Sequence, residues 1–290
     1  MISVVIPVYN NELTIVELLV QVFKQLKSNC EKFEVICVDD ASTDNSLLLL
    51  KNLALEYSNL KIISLQKNSG QHPAIFRGLQ KAKGEWIVIM DADGQDNPAT
   101  LPLFIQHTST EVDAVFALRE KRNSSLVQRL TSFLFYKLWQ LLGNERANYK
   151  ASNFGIYRRN LIEAVIQSGF PPFSLQLIAI KLKAPRTYVI GQHNASKSSS
   201  YNLFSRWRLS SKILFLYSFK SLRRLLFAGI IFILIANSIL VRYLLNGRHT
   251  LKWPWLDTVL ISTFMCFGAI LLFIFFSAYS NKKSNLKINH

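Results

Sequence analysis

Three carboxylates fall within six residues in Asp91-Ala-Asp-Gly-Gln-Asp96, straight after the apolar run Trp86-Ile-Val-Ile-Met90. Asp91 and Asp93 stand at i and i+2, with the amide oxygen of Gln95 two positions further on. Such hard oxygen donors favour Mg²⁺ or Mn²⁺, ions that usually complete their shell with phosphate oxygens. Carboxylates this close repel one another unless a cation lies between them. A second pair, Asp39-Asp40, closes another apolar run, Glu34-Val-Ile-Cys-Val38. Together they point to a site for a metal-bound diphosphate.

Charge is distributed unevenly along the 290 residues. Residues 1–120 hold 15 acids and 10 bases, a net of −5. Residues 121–290 hold 3 acids (Glu145, Glu163, Asp257) and 24 bases, a net of +21, which together give the formal +16. A basic half suits nucleic acid, an anionic membrane or a phosphorylated substrate. Nucleic acid is the weakest of these readings, because neither zinc-ligand spacing nor an RNA-binding aromatic signature accompanies the bases. The histidines show no metal-ligand spacing, and three unpaired cysteines, Cys30, Cys37 and Cys266, suit a reducing compartment.

The elements that must carry these groups follow from periodicity. SVVIPVY (3–9), EVICVDD (34–40), LKIISLQ (60–66), EWIVIMD (85–91) and DAVFAL (113–118) read as strands, with helical patterns over 12–27, 44–57, 71–83 and 98–107. Alternation of this kind implies a mostly parallel, Rossmann-like α/β sheet with helices on both faces. Ligands of such sheets bind beyond the carboxyl ends of the strands. Tyr9-Asn10, Asp39-Asp40, Asn68-Ser-Gly-Gln71 and Asp91-Ala-Asp93 all lie at those ends and converge on one rim. Ser42, Thr43 and Ser46 read as helix caps.

The second half reads as a membrane attachment. Residues 124–142 form an amphipathic pattern rich in aromatics, and the basic pattern 202–220 suits a helix lying in a membrane interface. Leu225–Leu245 and Leu256–Tyr279 are each long enough to cross a bilayer core. Arg206, Arg208, Lys212, Lys220, Arg223 and Arg224 before them, and Lys282, Lys283 and Lys287 after, outnumber Arg242, Arg248 and Lys252 between. That bias places the catalytic part in the cytoplasm. The expected organisation is a catalytic domain over 1–200, a juxtamembrane helix over 201–223, two transmembrane helices over 224–280 and a basic tail over 281–290.

The motifs VVIPVYNNE, VDDASTDNS, NSGQHPAI, DADGQD and ALREKR occur in this order. As a set they resemble the inverting family-two glycosyltransferases of the A-type fold. NFGIYRRNLIEAVI, HNASKSSSY, LYSFKSLRRLL and the paired spans are similar to the polyprenyl-phosphate glycosyltransferases, relatives of dolichyl-phosphate mannose synthase. The resemblance implies that Pro7, Tyr9, Glu12 and Asp39 hold the nucleotide, with Asp40, Gln71 and Asp91 lining the same cleft. Asp91, Asp93 and Gln95 would bind Mg²⁺ or Mn²⁺. Asp93, Arg119 and Arg122 would be catalytic, and Arg119, Arg129 and Lys197 would meet the acceptor phosphate. Gly94 replaces a common Leu, Gly155 stands where relatives often have Arg, and HNASKSSSY is shorter than usual and lacks an arginine.

Glycosyl transfer develops negative charge on the departing nucleoside diphosphate, and a divalent ion stabilises it. A sugar hydroxyl as acceptor requires a carboxylate base. The second half holds only three acids, with Glu145 and Glu163 as the ones able to turn toward the site. A lipid monophosphate needs no base, since its second pKa is near 6. The expected reaction is inverting transfer of one sugar from a nucleotide-diphosphate sugar, UDP-linked by preference, to a polyprenyl phosphate at a bilayer. Transfer to a sugar hydroxyl of a lipid-linked oligosaccharide is the alternative, and self-association is left open.

Overall fold

The computed structural model describes residues 1–119, 133, 137, 140, 147–148, 150–167, 175–191, 227–238, 259–270 and 272, and the backbone alone of Arg119. The chain divides into two compact units, Met1–Gln140 with Glu145–Asn202, and Leu141–Asn144 with Leu203–His290.

The first unit is built on a seven-stranded sheet. Its strands are β1 (Ile2–Val8), β2 (Phe33–Asp39), β3 (Leu60–Ser64), β4 (Trp86–Ile89), β5 (Ala114–Arg119), β6 (Ala151–Arg158) and β7 (Arg186–Gly191), in the order β3-β2-β1-β4-β6-β5-β7. Strands β1 to β4 are mutually parallel, with Val8 opposite Asp39 and Asp39 opposite Ser64. Strand β6 runs antiparallel to both β4 and β5, and β7 lies parallel to β5. Two reversals restore direction, so β5 and β7 end on the same edge as β1, β2 and β4.

Helices α1 (Ile15–Asn29), α2 (Ser46–Glu56), α3 (Gln71–Lys81) and α4 (Leu101–Gln106) fill the connections, joined later by α5 (Arg159–Gln167) and α6 (Leu175–Lys181). On α1 the buried residues Ile15, Leu18, Leu19, Val22, Phe23 and Leu26 recur every three or four positions, giving one apolar face. Phe23 stacks on Tyr57 at 4.1 Å between ring centres, tying α1 to the end of α2. Strands β1 and β4 are buried along their whole length, as the apolar runs Val4–Val8 and Trp86–Ile89 anticipate. The expected strands and helices of residues 1–119 all form, with ends displaced by a few residues.

A polar network closes the end of the sheet where β1 and β2 begin. Glu34 on β2 is buried and accepts the Ser3 hydroxyl, the Lys61 ammonium and the Lys83 amide, each at 2.6 Å. The Gly84 amide donates to Ser3 Oγ at 2.7 Å. A Cβ on Gly84 would lie 2.5 Å from the Ser3 nitrogen and 2.8 Å from the Trp86 carbonyl, so only glycine fits there. Burial alone would push the Glu34 carboxyl up. The Lys61 bond first, then those of Ser3 and Lys83, outweigh it and hold the group below the ordinary carboxylate range.

In β6, Gly155 packs under the β5 backbone, where a Cβ would stand 2.5 Å from the Val115 carbonyl. The strand pair as formed admits no side chain there, so glycine is required at this position.

In the second unit, residues 227–238 and 259–270 are helical. Phe232 packs between Phe264 and Phe267, with ring centres 5.5 and 5.4 Å away. Gly268 approaches Ile233 and the Gly229 carbonyl so closely that a Cβ would meet Ile233 Cγ1 at 2.6 Å. Large apolar side chains on both helices, among them Phe227, Ile231, Leu234, Phe267 and Ile270, are exposed. Among the described residues no helix is long and apolar enough to cross a membrane. The spans expected over 225–245 and 256–279 extend past the described residues at both ends. The helix expected over 124–142 lies outside them apart from three positions. The interfacial helix expected over 202–220 and the basic tail over 281–290 lie wholly outside.

Candidate active site

Each of the first four parallel strands hands the chain to a short loop on the same edge of the sheet, and each loop contains a left-handed residue or a glycine equivalent. Asn10 (φ 53°) follows β1, Ala41 (φ 57°) follows β2, Gly70 (φ 94°) precedes α3 and Gly94 (φ 76°) lies in the acidic loop after β4. For Asn10 and Ala41 this backbone state costs energy, and such strain gathers at functional sites.

The loops after β1 and β2 are stitched together. The Asn10 amide donates to Ser42 Oγ at 3.1 Å, and the Thr43 amide donates back to Asn10 Oδ1 at 2.9 Å. The Asn11 amide donates to Ser46 Oγ at 2.8 Å, and the Glu12 amide to Asp44 Oδ2 at 3.1 Å. Glu12 Oε2 in turn accepts both the amide and the side-chain N–H of Asn45, each at 3.0 Å. Burial would push Asp44 up, yet bonds from Ser46 and the Glu12 amide leave it below its ordinary value. Ser42, Thr43 and Ser46 therefore differ from their expected role as helix caps. Asn45 holds the N-cap of α2 without a side-chain cap bond, and the hydroxyls of Ser42 and Ser46 serve the neighbouring loop.

Asp39 and Asp40 are both buried, at 1% and 2% exposure. Asp40 Oδ1 accepts the Ser69 amide at 2.8 Å and Oδ2 the Gly70 amide at 2.7 Å. Both of its oxygens are thus committed to the loop after β3. Asp39 accepts longer bonds from the Ser42 amide (3.3 Å) and the Ser64 hydroxyl (3.4 Å). Pro7 is buried within β1, while Tyr9 presents a ring 44% exposed at the strand's end.

The acidic loop after β4 is held from several sides. Gln71 Nε2 donates to Asp91 Oδ1 at 2.5 Å, and the Asp91 amide donates to Asp96 Oδ2 at 3.0 Å. Asp96 is only 2% exposed. Burial first, and the Asp96 charge second, push the Tyr157 phenol well above its ordinary pKa. Gln95 bonds Asp93 twice, from its amide at 3.0 Å and from Nε2 at 2.6 Å. The Thr14 hydroxyl donates to the Ala92 carbonyl at 2.7 Å, pinning this loop to the start of α1. Asp93 is exposed and Asp91 partly so.

Among the described residues no group of three His, Cys, Asp or Glu side chains could hold a metal by themselves. Two carboxylates and an amide on one open loop instead match an ion that takes its remaining ligands from phosphate and water. Of the residues expected in the site, Pro7, Tyr9, Glu12, Asp39, Asp40, Gln71, Asp91, Asp93 and Gln95 all lie on the loops of this rim or the strand ends beneath it. Arg119 ends β5 on the same edge, in register with Gly191 of β7. Arg122, Arg129 and Lys197 lie outside the described residues. Asn45 escaped the sequence reading, and Asp96 was given no role in it. Asp96 was visible as the third carboxylate of its cluster, whereas nothing local marked Asn45 as the partner of Glu12.

Glu163, a candidate base, lies 3.8 Å from Arg159. Arg159 donates to the Gly84 and Ala82 carbonyls before β4 begins, at the opposite end of that strand from Asp91. Glu163 is thereby kept away from the rim.

Comparison with known proteins agrees with this architecture. The undecaprenyl-phosphate 4-deoxy-4-formamido-L-arabinose transferase of Pseudomonas fluorescens (strain SBW25) is 29% identical over 215 residues, 72% of this chain and 62% of that one. The protein of the same name from Aeromonas hydrophila is 34% identical over 167 residues, 57% of this chain and 51% of that one. The chain thus spans 51–62% of the length of these curated relatives. S. aureus TarS 1–349, solved with UDP, superposes with a TM-score of 0.51 at 25% identity, over 75% of this chain and 66% of that one. Glucosyl-3-phosphoglycerate synthase from Mycobacterium tuberculosis, solved with Mn²⁺, UDP and phosphoglyceric acid, reaches 0.50 at 19% identity, over 74% and 76% of the two chains. That last likeness is one of fold alone. Residues 3–166, more than half of the chain, match the model of glycosyl transferase family 2, and the chain belongs to that family.

Proposed function

We propose that this protein is an inverting, metal-dependent glycosyltransferase that moves one sugar from a UDP-sugar to a polyprenyl phosphate at a membrane surface. The observation that carries this reading is the rim itself. Two stitched loops and an exposed Tyr9 ring offer a nucleoside seat, and the acidic loop after β4 stands beside it on the same edge. The named activity of the undecaprenyl-phosphate transferases and the UDP of the TarS structure support it.

In this reading Pro7, Tyr9, Glu12 and Asp39 hold base and ribose, and Asp40 shapes the loop that covers them. Asp91, Asp93 and Gln95 hold Mg²⁺ or Mn²⁺ against the diphosphate. When bound, the ion stabilises the charge that grows on the leaving nucleoside diphosphate. Arg119, with Arg122, Arg129 and Lys197 from the adjoining sequence, supplies positive charge for the donor and acceptor phosphates. The acceptor oxygen is already ionised, so no carboxylate has to remove a proton from it. Glu163, paired with Arg159 away from the rim, fits that absence of a base.

The exposed apolar side chains on residues 227–238 and 259–270 support a two-helix anchor spanning the bilayer over 224–280, with the catalytic domain on the cytoplasmic side. The test is an assay of the full chain in detergent with labelled UDP-sugars and Mn²⁺. Product is expected on polyprenyl phosphate. Product on a lipid-linked oligosaccharide and none on polyprenyl phosphate would overturn the acceptor assignment.

A further inference from the structure

We propose that Gln71 is a positioning residue that couples the loop covering the nucleotide to the metal-binding carboxylate of Asp91. The inference rests on the ion site assigned above, and it moves Gln71 from nucleotide contact to alignment of a ligand.

The connection is continuous. Asp40, buried after β2, takes the amides of Ser69 and Gly70 on its two oxygens. Gly70, in a left-handed conformation open to glycine, turns the chain so that Gln71 begins α3. Gln71 Nε2 then reaches Asp91 Oδ1 at 2.5 Å. Strand β1 lies between β2 and β4, so this contact bridges the rim above the end of β1.

Both ends of the bridge are rigid. Helix α3 buries Ala74, Ile75, Gly78 and Leu79, and Gly78 sits directly against the Val5 side chain of β1. On the other side Asp96 holds the Asp91 amide at 3.0 Å and Thr14 holds the Ala92 carbonyl. The Asp91 backbone is fixed by these two, and its carboxylate plane by Gln71.

The chemistry of the donor matters. A lysine or arginine at position 71 would orient Asp91 and also neutralise it. An uncharged amide orients the carboxylate without neutralising it. Partners of this kind behind a metal ligand tune affinity by roughly 10-fold or more. Nucleotide and ion bound at the two ends of this one bridge must then favour one another reciprocally.

The experiment measures UDP affinity of the full chain by calorimetry, in EDTA and in saturating Mn²⁺, for the wild type, Gln71→Met and Gln71→Ala. Met keeps the length and packing of the side chain but cannot donate. Both variants are expected to bind UDP in EDTA within about 2-fold of the wild type, and to lose on the order of 10-fold of the gain that Mn²⁺ confers. Mn²⁺ titration of the UDP-loaded protein by electron paramagnetic resonance should weaken in step, with the melting midpoint unchanged. Undiminished coupling in Gln71→Met overturns the proposal. Equal loss of UDP affinity in EDTA also overturns it, and makes Gln71 a nucleotide contact. A wild type that couples UDP to Mn²⁺ but gives polyprenyl phosphate no sugar sinks the acceptor reading while leaving the role of Gln71 intact. A wild type in which Mn²⁺ does not change UDP affinity sinks the metal assignment and the role of Gln71 together.

Discussion

Glu12 Oε2 accepts the backbone and the side-chain N–H of Asn45, both at 3.0 Å, so one oxygen ties the loop after β1 to the first turn of α2. A charged acceptor makes each of these bonds stronger than a neutral pair. Glu12→Ala should release the two loops, weaken UDP binding on the order of 10-fold and cost about 1–2 kcal/mol of stability. Glu12→Gln, which keeps an acceptor oxygen, should fall between. Calorimetry with UDP and urea unfolding measure the two effects.

Asp93 is exposed and its bonds are local, made by Gln95 alone among the described contacts. Asp93→Ala should therefore leave stability within about 0.5 kcal/mol of the wild type. Turnover should fall by a factor on the order of 10² or more, the scale seen when electrostatic stabilisation of developing charge is removed. Steady-state assays across Mn²⁺ concentration, beside a thermal melt, separate the two. Unchanged turnover would refute the metal assignment.

Glu163 sits with Arg159 away from the rim, and a phosphate acceptor needs no base. Glu163→Gln should keep kcat within about 2-fold. In both proteins the rate should rise as pH climbs through about 6, as the acceptor phosphate loses its second proton, and then level. A profile that loses its rising limb in Glu163→Gln would identify that carboxylate as a base.

Glu34 ends in three bonds from Ser3, Lys61 and the Lys83 amide, which depress its pKa in the folded state. A depressed carboxyl contributes stability above its unfolded pKa and loses it as pH falls through the folded value. Glu34→Gln should thus cost about 1–3 kcal/mol at pH 7. The gap from the wild type should narrow below about pH 4, where the unfolded carboxyl takes up its proton. Urea titrations at several pH values measure it.

Beside this network, Gly84→Ala would force a methyl group onto the Ser3 nitrogen and the Trp86 carbonyl. A cost of about 1–3 kcal/mol is expected, because backbone rather than a flexible side chain must yield. The readout is a lowered melting midpoint, with UDP affinity unchanged because the site lies at the other end of the strands.

Much of this was legible in one dimension. Strands β1 to β5 announce themselves as apolar runs ending in polar residues, and helices α1 to α3 as three- and four-residue periodicity. The rule that ligands sit beyond parallel strand ends then brings Tyr9, Asp39, Gln71 and Asp93 onto one rim without coordinates. Strands β6 and β7 were not legible. ASNFGIYR alternates poorly, and its insertion between β4 and β5 depends on pairing with partners tens of residues away.

The sequence by itself determined the composition of the site: which oxygens are available, which strands carry them and which edge they share. The tertiary structure alone decided what each oxygen does. Asp39 and Asp40 are identical neighbours in the chain, yet the Ser69 and Gly70 amides consume both oxygens of Asp40, while Asp39 accepts longer bonds from Ser42 and Ser64. Gln71 meets Asp91 and Glu12 meets Asn45 only because sheet order brings separate loops within hydrogen-bond reach. Such contacts depend on distances between segments far apart in sequence, and local residue patterns do not encode those distances.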